Sequence, residues 1–260
     1  MYHRPEERLE IGVGYARLAL VDLSARVEVE GKDEVARLAT SFNDASSKIE
    51  RLVNSNRQLL ANASHELRTP LARVRLGVEM LKDKPDAKRQ RALENDIAEL
   101  DQLIDEILLM SRLDTNSAPQ LNEIVDILAL AAEEASRYED CSVSGDICEV
   151  KGNSKLLRRA VRNLLDNALK HGAPPIRVHI GAYANTVSLR VTDSGQGIAE
   201  AQREQVFEPF FRAPGRQNVT GYGLGLALVR QIAQAHGGDV HIVSDDPTTS
   251  TIEINLPRLS

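Results

Sequence analysis

Ser64-His65-Glu66-Leu67-Arg68-Thr69-Pro70-Leu71 places an imidazole, a carboxylate and a hydroxyl within little more than one helical turn. Apolar residues continue on both sides at Ile49, Leu52, Leu59, Ala63, Leu67, Leu71, Val74, Val78 and Leu81, three and four apart as a buried helical seam is. The eight residues therefore read as helix. At about 100° per residue, His65 lies about 160° round from both Ala63 and Leu67. Its ring is expected to face solvent, with Thr69 four residues on along the same face and Glu66 beside them.

Upstream, Leu9, Val13, Ala16 and Leu20 form a first seam after Pro5, which suits a helix start. Asp22 to Val29 reads as strand-like and Gly31 breaks it. A second helix begins near Asp33, and Val35, Leu38, Phe42, Ala45, Ile49 and Leu52 alternate three and four apart, a seam that continues through Asn56 and Leu59 to Ala63. Two parallel helices with an extended link are expected here.

Downstream, Lys82-Asp83-Lys84-Pro85-Asp86 breaks the helix, and Leu93, Ile97, Leu100, Ile104 and Ile107 carry the next one. So short a loop makes the two helices antiparallel. One hairpin cannot cover such apolar stripes, whereas two close into a four-helix bundle, so a homodimer is expected. Asn116 to Pro119 reads as a linker.

Beyond it the pattern changes to mixed strands and helices. A helix from about Ser154 to His171 carries Asn163 and Asn167 one turn apart on one face, although Asn is a poor mid-helix residue; the pair suggests a ligand. Strands at about Ile176 to Tyr183 and Val187 to Thr192 follow, joined at Ala184-Asn185. Then come Asp193-Ser194-Gly195-Gln196-Gly197, Phe207-Glu208-Pro209-Phe210-Phe211-Arg212, a polar stretch from Ala213 to Thr220, and Gly221-Tyr222-Gly223-Leu224-Gly225-Leu226 opening a helix that runs to about His236. Glycines let a backbone approach a ligand closely, and a helix start offers unpaired amides to phosphate.

The string HELRTPL resembles the phosphoacceptor box of bacterial sensor histidine kinases. The four later motifs resemble, in order, the N, G1, F and G2 boxes of the catalytic domain of that family, which belongs with gyrase-type and chaperone ATPases. Pro5, Asp22-Leu23-Ser24, Gly31-Lys32-Asp33-Glu34 and Phe42-Asn43 resemble a HAMP linker. Val21 departs from the glycine often found before that Asp, and Thr249-Ser250 stand where the family often has Gly-Thr. The implied architecture is multidomain: a parallel HAMP coiled coil over 1–54, an antiparallel helical hairpin forming a dimeric four-helix bundle over 55–117, and an α/β sandwich ATP-binding domain over 118–260.

The resemblance also implies roles. His65 is the phosphoacceptor, Glu66 orients its ring and takes a proton, and Thr69 with Glu66 supports dephosphorylation of a response regulator receiver domain. Asp193 accepts a hydrogen bond from the adenine amino group of ATP, with Gly195 and Gly197 allowing close approach. Asn167 holds Mg²⁺, Asn163 assists, and Lys170 reaches the phosphates. Gly221, Gly223, Leu224 and Gly225 belong to the phosphate cradle, and Arg216 is a cation of the lid formed by Ala213 to Thr220. A receiver is expected to dock below His65, near Arg73, Gly77 and Lys82.

Other readings stay open at this point. One is a relative that dimerises and docks a receiver without phosphorylating itself, since the last box is atypical. Another is a gyrase-type ATPase, against which the outward His65 on a dimerising hairpin argues. Absent Trp, 3% aromatic residues and a net charge of -6 argue against a nucleic-acid partner. The nearest approach to a membrane span, residues 12–29, is interrupted by Arg17, Asp22 and Arg26, so the chain itself is expected to be soluble. The resemblance implies attachment to the cytoplasmic side of the bacterial inner membrane through a transmembrane segment absent from it. Cys141 and Cys148 suit a reducing compartment.

Overall fold

The computed structural model describes residues 24–29, 31, 33–83, 86–114, 121–213, 221–243 and 249–259. The helix expected over Leu9 to Leu20, the linker Asn116 to Pro119, residues 214–220 of the expected lid and Arg216 with them lie outside the described residues. The chain divides into two compact units, Met1–Ser64 and His65–Ser260. Among the described residues no helix is long and apolar enough to cross a membrane.

In the first unit, helix α1 (Glu34–Asp83) begins at Asp33, whose carboxylate accepts the Ala36 N–H at 3.1 Å, a side-chain cap for an otherwise unpaired amide. The stretch before it alternates as expected, with Ala25 and Val27 buried and Arg26 and Glu28 outward. It is nevertheless no strand. Asn43 accepts the Val27 N–H at 2.9 Å and donates to the Val27 carbonyl at 2.8 Å, so one side chain does what a neighbouring strand would do. Val27, Ala39 and Phe42 form the small core beneath this clamp.

In the second unit, α1 and α2 (Ala87–Asp114) form the expected antiparallel hairpin. A Cβ on Gly77 would stand 3.2 Å from Leu93 Cδ1, so this glycine allows close approach of the two helices. Arg73 pairs with Asp96 at 3.1 Å and Glu99 at 2.6 Å. Leu71 and Val78 of the expected seam are exposed, as are Leu76, Ile97, Ile104 and Leu108, because a single hairpin has nothing to lay over them. The buried side of α2 is instead Leu103, Glu106 and Met110, three and four apart. This second face escaped the periodicity reading, which followed Leu100, Ile104 and Ile107.

The rest of this unit is a two-layer α/β sandwich. Strands β1 (Glu123–Asp126) and β3 (Glu149–Gly152) pair antiparallel. The main sheet contains β2 (Cys141–Gly145), β4 (Ile176–Ala182), β5 (Thr186–Asp193), β6 (Asp239–Ile242) and β7 (Ser250–Pro257), in the order β2-β4-β5-β7-β6. Among the described strands only β2 with β4 is parallel. Register aligns Val178, Val191, Ile252 and Ile242 in one row and Ile180, Leu189, Ile254 and Val240 in the next. These rows make the apolar face, since side chains alternate along a strand.

Helices α3 (Ile127–Ala135), α4 (Ser154–His171) and α5 (Gly225–Ala235) supply the other layer. Asn153 caps α4 by accepting the Leu156 N–H at 3.2 Å. Leu156, Leu157, Ala160, Val161, Leu164, Leu165 and Ala168 form its buried side. At its edge, Glu134 on α3 is fully buried and receives Arg158 at 3.0 Å and Arg162 at 2.9 Å. Burial alone would raise the Glu134 pKa, but the hydrogen bonds from Arg162 and Arg158 outweigh it and hold the carboxyl below its ordinary range.

Candidate functional site

The end of β5 and the end of α4 meet without side chains between them. A Cβ on Gly172 would lie 2.2 Å from Asp193 Oδ1, and one on Gly195 would lie 2.5 Å from Gly172 Cα. Two glycines thus let the Asp193 carboxylate settle against the last turn of α4. It is 4% exposed and accepts the Gly195 N–H at 2.9 Å. Ser250, the register partner of Asp193 on β7, lines the same cavity as Asp193. The atypical Thr249-Ser250 step therefore abuts the site instead of ending a remote strand.

That cavity has a volume of about 650 Å³. Asn163, Asn167 and Lys170 from α4 and Gly197, Gly221 and Tyr222 are among its walls. Of the expected site residues that the structure describes, it gathers Asn163, Asn167, Lys170, Asp193, Gly197, Gly221, Gly223, Leu224 and Gly225. Gly195 acts from beneath, through Asp193. Asn163 is partly committed, because its amide donates to the Gly225 carbonyl at 3.2 Å and so ties α4 to the start of α5. Leu224 turns its side chain into the core, 1% exposed.

The glycine-rich stretch was expected to open a helix at once. Instead α5 starts at Gly225, and Gly221 and Gly223 adopt φ of +139° and +73° ahead of it, where a side chain would be strained. The Gly223 carbonyl accepts the Phe210 N–H at 2.9 Å, and a Cβ there would come within 2.5 Å of the Phe211 carbonyl. Phe210 itself is held at φ +65°. The Phe-Glu-Pro-Phe-Phe turn and the glycine turn thus brace each other. Among the described residues no side chain caps α5, which leaves first-turn amides and the positive end of the helix dipole for an anion.

Uncapped helix amides at one end, a buried carboxylate at the other and an amide-bearing helix face between them suit a ligand that carries both phosphates and a hydrogen-bonding base. Glycine at 172, 195 and 223 is what lets the segments around the cavity approach one another. Among the described residues no group of three or more His, Cys, Asp or Glu side chains could hold a metal ion alone. A cation here would share its coordination between Asn167 and phosphate oxygens, a donor set suited to Mg²⁺.

The hairpin contributes a wall that the sequence reading missed: Glu99, Gln102 and Glu106 of α2 also line the cavity. Glu106 is met by Arg159 of α4 at 3.5 Å. His65 and Thr69 are exposed on α1 and Glu66 is half-buried. Pro70, buried one turn on, has no N–H to give the Glu66 carbonyl. Gly77 stands beside Leu93, and Arg73 pairs with Asp96 and Glu99. Continuing this antiparallel register puts His65 at the level of about residue 105 of α2. Gln102 and Glu106 border the cavity at that level.

Comparison with known proteins matches three family models along the chain. Residues 152–260 match the family of histidine kinase-, DNA gyrase B- and HSP90-like ATPases, residues 55–116 the His Kinase A (phospho-acceptor) domain, and residues 9–51 the HAMP domain. Sensor histidine kinase GtrS of Pseudomonas aeruginosa is 37% identical over 246 residues, covering 93% of this chain and 50% of that protein. The signal transduction histidine-protein kinase/phosphatase MprB of Mycolicibacterium vanbaalenii is 34% identical over 250 residues, covering 89% and 51%. The chain thus spans about half the length of these relatives. Among solved structures, Acinetobacter baumannii histidine kinase AdeS has the same fold, with a TM-score of 0.64 at 23% identity, over 75% of this chain and 98% of that one. With these three modules in this order, the chain belongs to the sensor histidine kinases of bacterial two-component systems.

Proposed function

We propose that the chain is a protein-histidine kinase that uses Mg²⁺ and ATP to phosphorylate His65 and then passes the phosphoryl group to an aspartate of a response regulator receiver domain. The observation that carries this reading is a cavity fitted for a nucleoside triphosphate bordering the hairpin at the level of an exposed histidine.

Phosphoryl transfer asks for an in-line nucleophile and stabilised phosphate charge, with little other chemistry from the protein. Asp193 accepts the adenine amino group, fixed for this by Gly195 and by the absence of a side chain at Gly172. Asn167 would hold Mg²⁺ through its amide oxygen, and a bound ion would screen phosphate charge. Asn163 positions the start of α5, where Gly221, Gly223 and Gly225 leave room for the phosphates, and Lys170 and Arg216 supply cations. One ring nitrogen of His65 forms a bond to the γ-phosphorus as the bond to the ADP oxygen breaks. Glu66 takes the proton from the other nitrogen.

In the reverse task, Thr69 and Glu66 orient a water toward the phosphorylated receiver, a second activity that the name of MprB carries for that relative. A homodimer follows from the exposed stripe of Leu71, Val78, Ile97 and Ile104. We place the HAMP linker, phosphotransfer and catalytic domains at 1–54, 55–117 and 118–260. The protein works at the cytoplasmic side of the inner membrane, joined to it by a transmembrane segment outside these residues. Incubation with γ-labelled ATP and Mg²⁺ tests the reading: label stable to alkali and lost in acid is expected, and a folded dimer that binds nucleotide yet takes up no label refutes it.

A further inference from the structure

The side of α4 that brings Asn163, Asn167 and Lys170 to the cavity brings one more group there, the carboxylate-bearing Asp166. Three residues after Asn163 and four before Lys170, it shares their side of the helix. Glu99 and Glu106, the acids that α2 adds to the wall, each face an arginine, Arg73 at 2.6 Å and Arg159 at 3.5 Å. Asp166 is held instead by a neutral donor, the Tyr138 hydroxyl, at 2.7 Å. Burial first, then this bond, push the Tyr138 pKa up, so the phenol stays protonated and donates. Arg162, one turn back on α4, is committed to Glu134 through hydrogen bonds of 2.9 and 3.3 Å. Those bonds tie the end of α3 to α4 and set Tyr138, three residues past that end, against Asp166.

A phenol hydrogen bond orients a carboxylate without neutralising it. Beside a triphosphate alone, the Asp166 charge is repulsive; with a divalent cation bound it becomes attractive. Asparagine amides offer such a cation only neutral oxygens, whereas Mg²⁺ is usually bound with one or two carboxylates. We propose that Asp166, oriented by Tyr138, supplies the negative charge of the metal site and so makes the cavity select the metal-bound nucleotide over the metal-free one. Nucleotide and cation are thereby coupled, each tightening the other by the same factor. The proposal rests on the reading of the cavity as a nucleotide site and adds the pair of residues that sets its dependence on the cation.

The test is calorimetric titration of the whole chain with ATP and with adenosine, each in Mg²⁺ and in a chelator, for the wild type, Asp166→Asn, Tyr138→Phe and the double variant. The readout is the ratio of ATP affinities with and without Mg²⁺. Asp166→Asn, whose amide oxygen still accepts the Tyr138 hydroxyl, is expected to lower this ratio by about fivefold or more, with Mg²⁺-bound ATP weaker, metal-free ATP tighter and adenosine unchanged. Tyr138→Phe is expected to lower it in the same direction by less, and to add nothing once Asp166 is replaced. An unchanged ratio in Asp166→Asn overturns the proposal while leaving the nucleotide site standing, as does a loss of adenosine affinity equal to that of Mg²⁺-bound ATP, or a Tyr138→Phe effect that persists in full in the double variant. Absence of ATP binding in all four proteins overturns the nucleotide reading itself.

Discussion

Replacing Gly172 by Ala probes the proposed adenine end of the site through Asp193, from a glycine that lines the same cavity. The added Cβ would lie 2.2 Å from Asp193 Oδ1 and 2.6 Å from the Ala168 carbonyl, against the 3.0 Å that real Cβ contacts respect. The carboxylate must therefore retreat by at least about 0.8 Å (3.0 minus 2.2) unless the end of α4 moves. The same oxygen accepts the Gly195 N–H at 2.9 Å, and a shift of that size takes this bond out of its normal range. A hydrogen bond to a charged group is worth about 1.5–3 kcal/mol. On the proposed adenine contact with Asp193, losing that bond is expected to weaken ATP by about 10- to 150-fold. Calorimetric titration with ATP, beside a thermal melt that reports folding, is the assay. Wild-type affinity in a folded Gly172→Ala chain would refute the claim that this glycine holds Asp193 in place.

Two further predictions concern stability. Glu134→Ala leaves Arg158 and Arg162 facing an apolar pocket; because their side chains are 34% and 42% exposed and can turn to water, the loss sits at or below the low end of that for a broken buried pair, about 2–3 kcal/mol. It is read as a lower urea midpoint at unchanged slope. His236, 7% exposed, accepts the Asn153 N–H at 3.1 Å and contacts the Ile232 carbonyl through Nδ1; burial depresses its pKa despite the opposing backbone bond. The folded state thus binds fewer protons than the unfolded one. The contribution is fully present above pH 6.5, the ordinary value, and is lost as pH falls through the folded value. The urea midpoint of the wild type should drop below pH 6.5 more steeply than that of His236→Gln; parallel pH profiles would refute this.

Much of this was legible in the residue order because the decisive features are local. The hairpin follows from three- and four-residue spacings broken at Lys82 to Asp86, and α4 runs over the residues its pattern marks, Ser154–His171. Asp193 and the glycine turns were marked by residue type. The features that escaped are contacts between residues far apart in sequence. Gly172 looks like an ordinary helix terminator until β5 is laid against it. Glu99 and Glu106 read as solvated charges on a helix face, and only packing turns them toward the cavity. The stretch before α1 shows why alternation alone does not define a strand: Val27 is paired by Asn43, sixteen residues away.

In the proposed reaction His65 receives the γ-phosphoryl group of ATP. Mass mapping of the phosphorylated chain at alkaline pH, in the wild type and in His65→Ala, locates the acceptor. One phosphoryl group is expected on the peptide carrying Ser64 to Arg68 and none in the variant; a phosphoryl group elsewhere, or one that survives in His65→Ala, would refute the assignment of His65 as acceptor.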